Sequence, residues 1–415
     1  VVGDPFLPES LRERLGLKTN AARFARDIYL LQALAACRAP AGRLDLLLGK
    51  TSATGDPLRP SRLLLRCAEA ELPGRIGFLF RPVVSGRANP PWRRAWPLAP
   101  PRVAPPGRVA VTALRAWLDC PFRFYLARVL RMEAVDPAKT ELDILDFGTL
   151  CHVALEAMGR EPALRDCTDP KTLREFLLAA LEAEMAKRFG AMLTLPLIVQ
   201  LESARQRLSR AAEVQAQTRA EGWVLVDVER KFELEIGGLT VSGKIDRLDR
   251  HEQTGAIRVL DYKTSDQPAQ PGEAHLRWAR RDETAREFAR FVGEEGREHV
   301  WRDLQLPIYL RALAAGWLEA NAPGVASALG STRSTFSAGY FNLPKASSET
   351  GIALWDDYTP ELAEAAWRCA GGVAAAIGAG EFWPPNEKVR ADYDDFATLF
   401  HHGAAESVAW KGAAP

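Results

Sequence analysis

From about residue 109 to residue 220, apolar positions recur at helical spacing, and then the period changes to two. Phe232, Leu234 and Ile236 alternate with Lys231, Glu233 and Glu235, which predicts a strand. Gly237-Gly238 turns the chain, and Leu239, Val241, Gly243 and Ile245 resume the alternation. A turn through Asp249 to Gly255 leads to a third strand, Ile257 to Lys263, and helices return from about residue 301. Within the helical stretch, Thr112 is the predicted N-cap of a short helix carrying Leu114, Trp117 and Leu118. Pro121 opens the next helix, with Phe122, Tyr125, Leu126 and Val129 on one face. Upstream, Phe24, Ile28, Leu31 and Ala35 predict a helix over 21–36, and Leu44 to Leu48 reads as a buried strand. Helices, a strand meander and helices again predict an α+β or α/β core.

Prolines divide the chain. Pro90, Pro91, Pro97, Pro100, Pro101, Pro105 and Pro106 make 86–108 an extended linker between a small α/β piece at 1–85 and a large domain at 109–415. Its arginines 87, 93, 94 and 102 read as solvated charge, with an arm on a nucleic-acid backbone as the other reading. The 415 residues are 47% hydrophobic and 26% charged, which excludes a disordered chain. No apolar run is long enough for a membrane helix, and the start at Val1 is neither a signal peptide nor an initiator Met, which predicts a piece of a longer protein. A net charge of +1 excludes a bulk polycation but leaves room for a local basic groove. Six cysteines without CxxC or Cys/His spacing exclude a disulfide scaffold and a zinc ribbon, and point to a reducing compartment.

Gly49-Lys50-Thr51 follows the predicted strand as a phosphate loop would, but Leu44 stands where that loop needs glycine, so no nucleotide cradle is expected. The meander carries the chemistry. Asp246 lies on the polar face of its strand with Ser242 and Lys244, whereas Asp261 and Lys263 extend the apolar face of Ile257 and Val259. A charge against a core needs a partner or a metal. Two carboxylates from adjacent antiparallel strands can converge on one hard cation such as Mg²⁺, and Lys263 can offset negative charge on a phosphate. Spacing alone also fits a plain Asp–Lys ion pair at a strand end. His152 and Glu156, four apart, share the face opposite the Leu150, Val153, Ala154, Ala157 and Met158 stripe, and alone fit a solvated helix flank. Gln305 and Tyr309 are likewise four apart, on a helix that Pro307 helps to start.

Four blocks then stand in order: Gly148-x-x-x-His152 with Glu156, Gly243-Lys-Ile-Asp246-Arg247, Asp261-Tyr-Lys263-Thr264, and Gln305-Leu-x-x-Tyr309. Together they resemble the PD-(D/E)XK nuclease domain of the RecB/AddB type. The block Leu118-Asp-Cys120-Pro-Phe-Arg-Phe-Tyr125 is similar to the first helices of AddB-type nucleases, and the resemblance covers roughly 108 to 402. Asp4-Pro-Phe-Leu-Pro8, Ala25-Arg-Asp27 with Tyr29-Leu-Leu31, and Pro60-Ser-Arg62 resemble the end of an AddB-type helicase-like region.

The resemblance implies a restriction-endonuclease-like core, a mixed central sheet flanked by helices, after a small helicase-like remnant. It implies a Mg²⁺-dependent DNA nuclease, with Mn²⁺ as a substitute, serving a helicase–nuclease in double-strand-break repair. DNA, as single strands or ends, is the implied substrate, a helicase subunit the implied partner, and the bacterial cytoplasm the implied location. His152, Asp246, Asp261 and the Tyr262 carbonyl would hold the metal, Lys263 would act on water or the scissile phosphate, and Gln305, Tyr309 and Glu156 would support the site. Aspartate stands at 261 where the family often has glutamate. A catalytically silent DNA-binding or scaffolding module is the alternative, against which Asp246, Asp261 and Lys263 are all present. Where the family carries cysteines for an iron–sulfur cluster, matching the tail through Asp395 and Leu399 places Ala391, Asp394 and Phe400, so no cluster is expected. Trp383, Tyr393, Phe396 and Phe400 packing on Trp117, Phe122 and Tyr125 would tie the tail instead, with Cys120 a small buried apolar residue.

Overall fold

A computed structural model describes residues 7–81, 103–280, 285–315, 336–388, 394–400 and 403–408, apart from 47, 53, 54, 135–138, 140, 294 and 295. Most of the linker, Tyr393 and the His401-His402 pair fall outside these. The chain divides into two compact units, Val1–Trp92 and Arg93–Pro415.

The first unit holds helices α1 (Glu9–Arg14), α2 (Asn20–Arg38) and α3 (Leu72–Leu79). Thr19 caps α2 by accepting from the Ala22 amide, which fixes the start of the expected helix. The expected strand at Leu44–Leu48 does not form. Leu44, Leu46 and Leu48 are 39%, 49% and 46% exposed, and among the described residues of the unit only a Thr51–Pro57 bridge pairs extended backbone. A strand needs a ladder partner and a cover for its apolar face, and the described residues of this unit offer neither. The Lys50 ammonium donates to the Arg81 carbonyl at 2.6 Å.

The second unit is built on a mixed sheet. Strand β1 (Arg108–Ala110) lies parallel to one half of β3 (Leu239–His251), and β4 (Ile257–Lys263) lies antiparallel to the other half of the same edge. β2 (Trp223–Ile236) covers the opposite edge of β3 along its whole length. Strands β8 (Phe336–Asn342), parallel to β4, and β9 (Gly351–Leu354) complete it. The β2–β3 turn is Gly237-Gly238, with φ of 57° and 83°, a region open to glycine at no steric cost. β3 runs farther than its sequence pattern indicates. Asp249 is not in a turn but inside the strand, fully buried between Arg247 and Arg258 at 2.7 and 2.9 Å. Strands β8 and β9 were not anticipated, because helices were expected throughout the region after residue 301.

Helices cover both faces. α4 (Val111–Asp119), α5 (Pro121–Phe124), α11 (Gln305–Ala314) and the Pro360–Gly378 helix bury Val241, Ile245, Val259 and Tyr340 on one side. α6 (Ile144–Arg160), the short α7 (Pro162–Arg165), α8 (Pro170–Phe189) and α9 (Leu195–Ala220) bury Leu225, Val228, Leu260 and Phe341 on the other. α4 begins at Val111 with Ala110 as its N-cap, so Thr112 is not the cap: pairing of Val109 with Val241 holds the chain in β1 until the residue before the helix.

The tail is tied to α5 by more than aromatic packing. Phe122 meets Trp383 and Phe400 at ring distances of 5.4 and 5.6 Å, and Phe382, not foreseen, meets Phe124 and Tyr125 at 5.8 and 5.3 Å. Trp117 packs on Phe288 instead, and its indole donates to the Glu381 carbonyl. Beside this cluster Arg123 grips Asp394 with two nitrogens, Nε at 2.9 Å, and donates to the Asn386 carbonyl at 2.6 Å. Cys120 is not merely apolar filling. Its sulfur accepts from the Asn386 amide at 3.1 Å and, as N-cap of α5, from the Arg123 amide.

The Arg123 hydrogen bonds hold the Asp394 carboxyl below its ordinary range, against a smaller effect of burial. A depressed folded-state pKa adds stability that is present above the unfolded value near ~4 and is lost as pH falls through the folded value. Asp394→Asn should therefore cost about 2–4 kcal/mol at neutral pH in urea unfolding, since it leaves Arg123 half-buried without its counter-charge. The difference should shrink below about pH 4. A variant as stable as the parent at pH 7 would remove the ion pair from the account of the tail.

Candidate metal centre

The site lies where β3 and β4 part. Their last paired residues are Arg247 and Leu260, so Asp246 and Asp261 come next, side by side, as the ladder ends. The amide of Tyr262, deprived of a strand partner, donates to Asp246 Oδ2 at 3.0 Å. Both carboxylates are buried, at 7% and 3% exposure. Burial, then the charge of Asp261, push the Asp246 carboxyl well above its usual range, with the Tyr262 amide pulling the other way.

α6 supplies His152. Gly148, one turn earlier, lets α6 approach the end of β4, since a Cβ there would stand 3.1 Å from the Thr264 hydroxyl. His152 Nε2 is 3.2 Å from the Tyr262 carbonyl, and Nδ1 is 3.5 Å from Asp246 Oδ2. Burial lowers the pKa of the imidazole, outweighing the nearby acids, so it is neutral at pH 7 and offers a lone pair.

Sequence reasoning missed Glu229. Between the pairs Val228–Arg247 and Arg230–Ile245 it lies across from Asp246, and its ligand oxygen falls within 4.8 Å of those of His152 and Asp246. Its side chain is 4% exposed and pairs with the Lys244 ammonium. Its φ is 53°, a left-handed backbone that a non-glycine residue adopts at a cost of order 1 kcal/mol. Counting back from the Gly237-Gly238 turn would have found it, but the alternating pattern was followed only to Lys231.

Lys263 Nζ is 2.7 Å from Asp261 Oδ2 and 4.8 Å from the centre of the Tyr340 ring. Burial works to lower its pKa, but Asp261 outweighs it and leaves the ammonium pKa raised, so Lys263 is a cation here. The ion-pair reading of the sequence and the cation-site reading thus meet in one place.

The amide nitrogen of Gln305 donates to Asp261 Oδ1 and to the Tyr309 hydroxyl, both at 2.7 Å, and Tyr309 donates to the Lys244 carbonyl at 2.8 Å. Burial, then the two aspartates, keep Tyr309 a neutral phenol. Its ring edge meets Phe232 at 5.5 Å, and Phe232 lies over Gly243, where a Cβ would come 2.4 Å from the ring. The glycine is a packing requirement of the brace. Asp303, also missed, caps the Gln305 amide at 2.9 Å. Glu156 pairs with Arg160 on its own helix at 2.8 Å, and its charge also helps to raise the pKa of Lys244, the partner of Glu229.

The donor set suits a divalent cation. The carboxylates of Glu229 and Asp246 and the neutral His152 imidazole have ligand atoms close together, the Tyr262 carbonyl adjoins His152, and the mutual repulsion of Asp246 and Asp261 is what a cation would relieve. Compared with known families, the model described as PD-(D/E)XK nuclease superfamily matches residues 108–393, more than half of the chain. No curated protein matches it.

A carboxyl whose folded pKa is raised gives stability that is complete below the unfolded value near ~4 and lost as pH rises through the folded value. Asp246→Asn should therefore raise the Tm of the protein in EDTA at pH 8 and leave it nearly unchanged at pH 4. Scanning calorimetry at the two pH values checks this; a lower Tm for the variant at pH 8 would contradict the repulsion.

Proposed function

This chain belongs to the PD-(D/E)XK nuclease superfamily, and from that membership and its site we propose that it hydrolyses the phosphodiester bonds of DNA with a divalent cation, Mg²⁺ or Mn²⁺. The meeting of Asp246, Asp261 and Lys263 where β3 and β4 part carries the reading. Asp246, Asp261, Glu229, His152 and the Tyr262 carbonyl would hold the cation. Such a cation supplies charge neutralisation at the scissile phosphate and a water acidic enough to attack it.

The protein's own groups do the rest. Lys263, kept protonated by Asp261, presents its ammonium to the phosphate and offsets the charge that develops there. Gln305 fixes the Asp261 carboxylate from the side opposite Lys263, so that the acid keeps its position when Lys263 turns to substrate. Tyr309 locks Gln305 to the β3 backbone. His152, neutral, adds a nitrogen donor without adding charge.

The four ordered blocks support the finer RecB/AddB-type reading: a nuclease of a helicase–nuclease acting on DNA ends in double-strand-break repair, with a helicase subunit as partner, in the bacterial cytoplasm. No helix among the described residues is long and apolar enough to cross a membrane.

Purified protein should cleave labelled DNA in Mg²⁺ or Mn²⁺ and not in EDTA. Asp261→Ala and Lys263→Ala should each reduce cleavage by at least about a thousandfold with the circular dichroism spectrum unchanged. Cleavage that persists in EDTA would sink the proposal. In a separate calorimetric titration, Glu229→Gln should weaken Mn²⁺ binding about tenfold or more. Unaltered binding would remove Glu229 from the ligand set.

A further inference from the structure

The chain between Lys263 and Gln305 builds a second, three-stranded sheet. β5 (Leu276–Trp278) and β6 (Arg290–Val292) flank β7 (Glu298–Trp301), all antiparallel. Trp278 and Phe291 both stand opposite His299, so the three rings form one cross-strand row on one face. His299 lies 4.2 Å from Trp278 and 5.1 Å from Phe291, centre to centre, and Phe291 lies 5.6 Å from the buried Trp301. The row climbs from the core to Trp278. At 52% exposure Trp278 is the most exposed aromatic side chain among the described residues of its unit.

Both ends of this sheet are joined to the candidate metal centre. β5 follows directly on His275, a fully buried residue at the end of α10 (Pro271–His275). His275 Nε2 accepts the Leu306 amide of α11 at 3.3 Å, and its ring stacks on Tyr340, the ring beneath the Lys263 ammonium. β7 ends two residues before Asp303, which caps the Gln305 amide. The sheet is therefore anchored to the residues that set Lys263 on one side and Gln305 on the other.

We propose that the aromatic face of this sheet is a stacking platform for a single strand of nucleic acid on its way to the centre, with a base on Trp278 and the backbone held by Arg297; this rests on the nuclease reading. Three observations carry it. A half-exposed indole forfeits burial that the fold otherwise gives its large rings, and it is held in place by His299. The Arg297 guanidinium lies over the Trp278 ring, 5.1 Å from its centre, so a positive charge accompanies the exposed indole where the phosphate of a stacked nucleotide would come. Positive charge beside exposed aromatic surface matches a strand whose charge is on its backbone and whose faces are bases. A duplex keeps its base faces inside, so the platform selects single strands and frayed ends.

Fluorescence anisotropy of a labelled oligothymidylate in EDTA tests this without cleavage. The platform lies outside the cation site, so the parent protein should bind. Trp278→Ala should weaken binding about ten- to a hundredfold, Trp278→Tyr should restore it to within about threefold, and Arg297→Ala should flatten its salt dependence. Hydrolysis of bis(p-nitrophenyl) phosphate in Mn²⁺, which offers no base to stack, should be the same in Trp278→Ala and the parent. Equal oligothymidylate binding by Trp278→Ala and the parent overturns the platform, as does a parent that binds no single strand. If Trp278→Ala does not fold, photocrosslinking of a bromodeoxyuridine oligonucleotide to the parent decides: attachment within residues 276–301 supports the platform and attachment only elsewhere refutes it. A parent that hydrolyses neither substrate but gives the binding pattern above refutes the nuclease reading and leaves the platform standing.

Discussion

Asp246 and Asp261 are forced together by the way one edge of β3 is shared. Its first half pairs with β1 and its second half with β4, so β4 must leave β3 midway, and the two carboxylates occupy the gap. Every other group at the site answers to that gap. The Tyr262 amide, freed from the ladder, turns to Asp246; Lys263 and Gln305 take the two oxygens of Asp261; and the Tyr309 hydroxyl reaches the Lys244 carbonyl just before Asp246. The two layers of helices do not create this arrangement. They fix its flanks, one through His152 and the other through Gln305 and Tyr309.

Much of this was legible in the sequence where local pattern and local structure coincide. The Ile257–Lys263 strand is read with its bounds, because apolar residues with a charged end and a turn before it leave little choice. The Gly237-Gly238 turn fixes the β2–β3 register, and with it the facing of residues far along both strands. What escaped depends on tertiary partners. Asp249 looks like a turn residue, since nothing local reveals that Arg247 and Arg258 neutralise it in the core. Leu44–Leu48 looks like a buried strand, since apolar content does not say whether a neighbour exists. β8 and β9 were absorbed into a helical expectation. At the site, Asp246, Asp261, Lys263, Gln305, Tyr309 and His152 do come together, and Glu156, paired with Arg160, lies close enough to act on the charge of Lys244. Glu229 and Asp303 act through register and capping, which motif spacing does not express.

The join between tail and α5 shows how one mechanical task can be met by different chemistry. Aromatic rings fill the space, but rings slide on one another and specify orientation weakly. The bidentate Arg123–Asp394 pair and the amides gathered on the Cys120 sulfur add direction. With Arg123 only 16% and Asp394 only 5% exposed, the two charges are taken out of water together, and their bidentate geometry offsets that cost.

The left-handed backbone at Glu229 sets a trap for protein engineering. Glycine is the residue that this φ accepts with least strain, so a screen that selects only for thermal resistance would favour glycine there and discard the carboxylate that β2 sets beside His152 and Asp246. If Glu229 does hold the cation, the substitution easiest on the backbone is the one that removes a ligand, and a library built on this chain should hold that position constant.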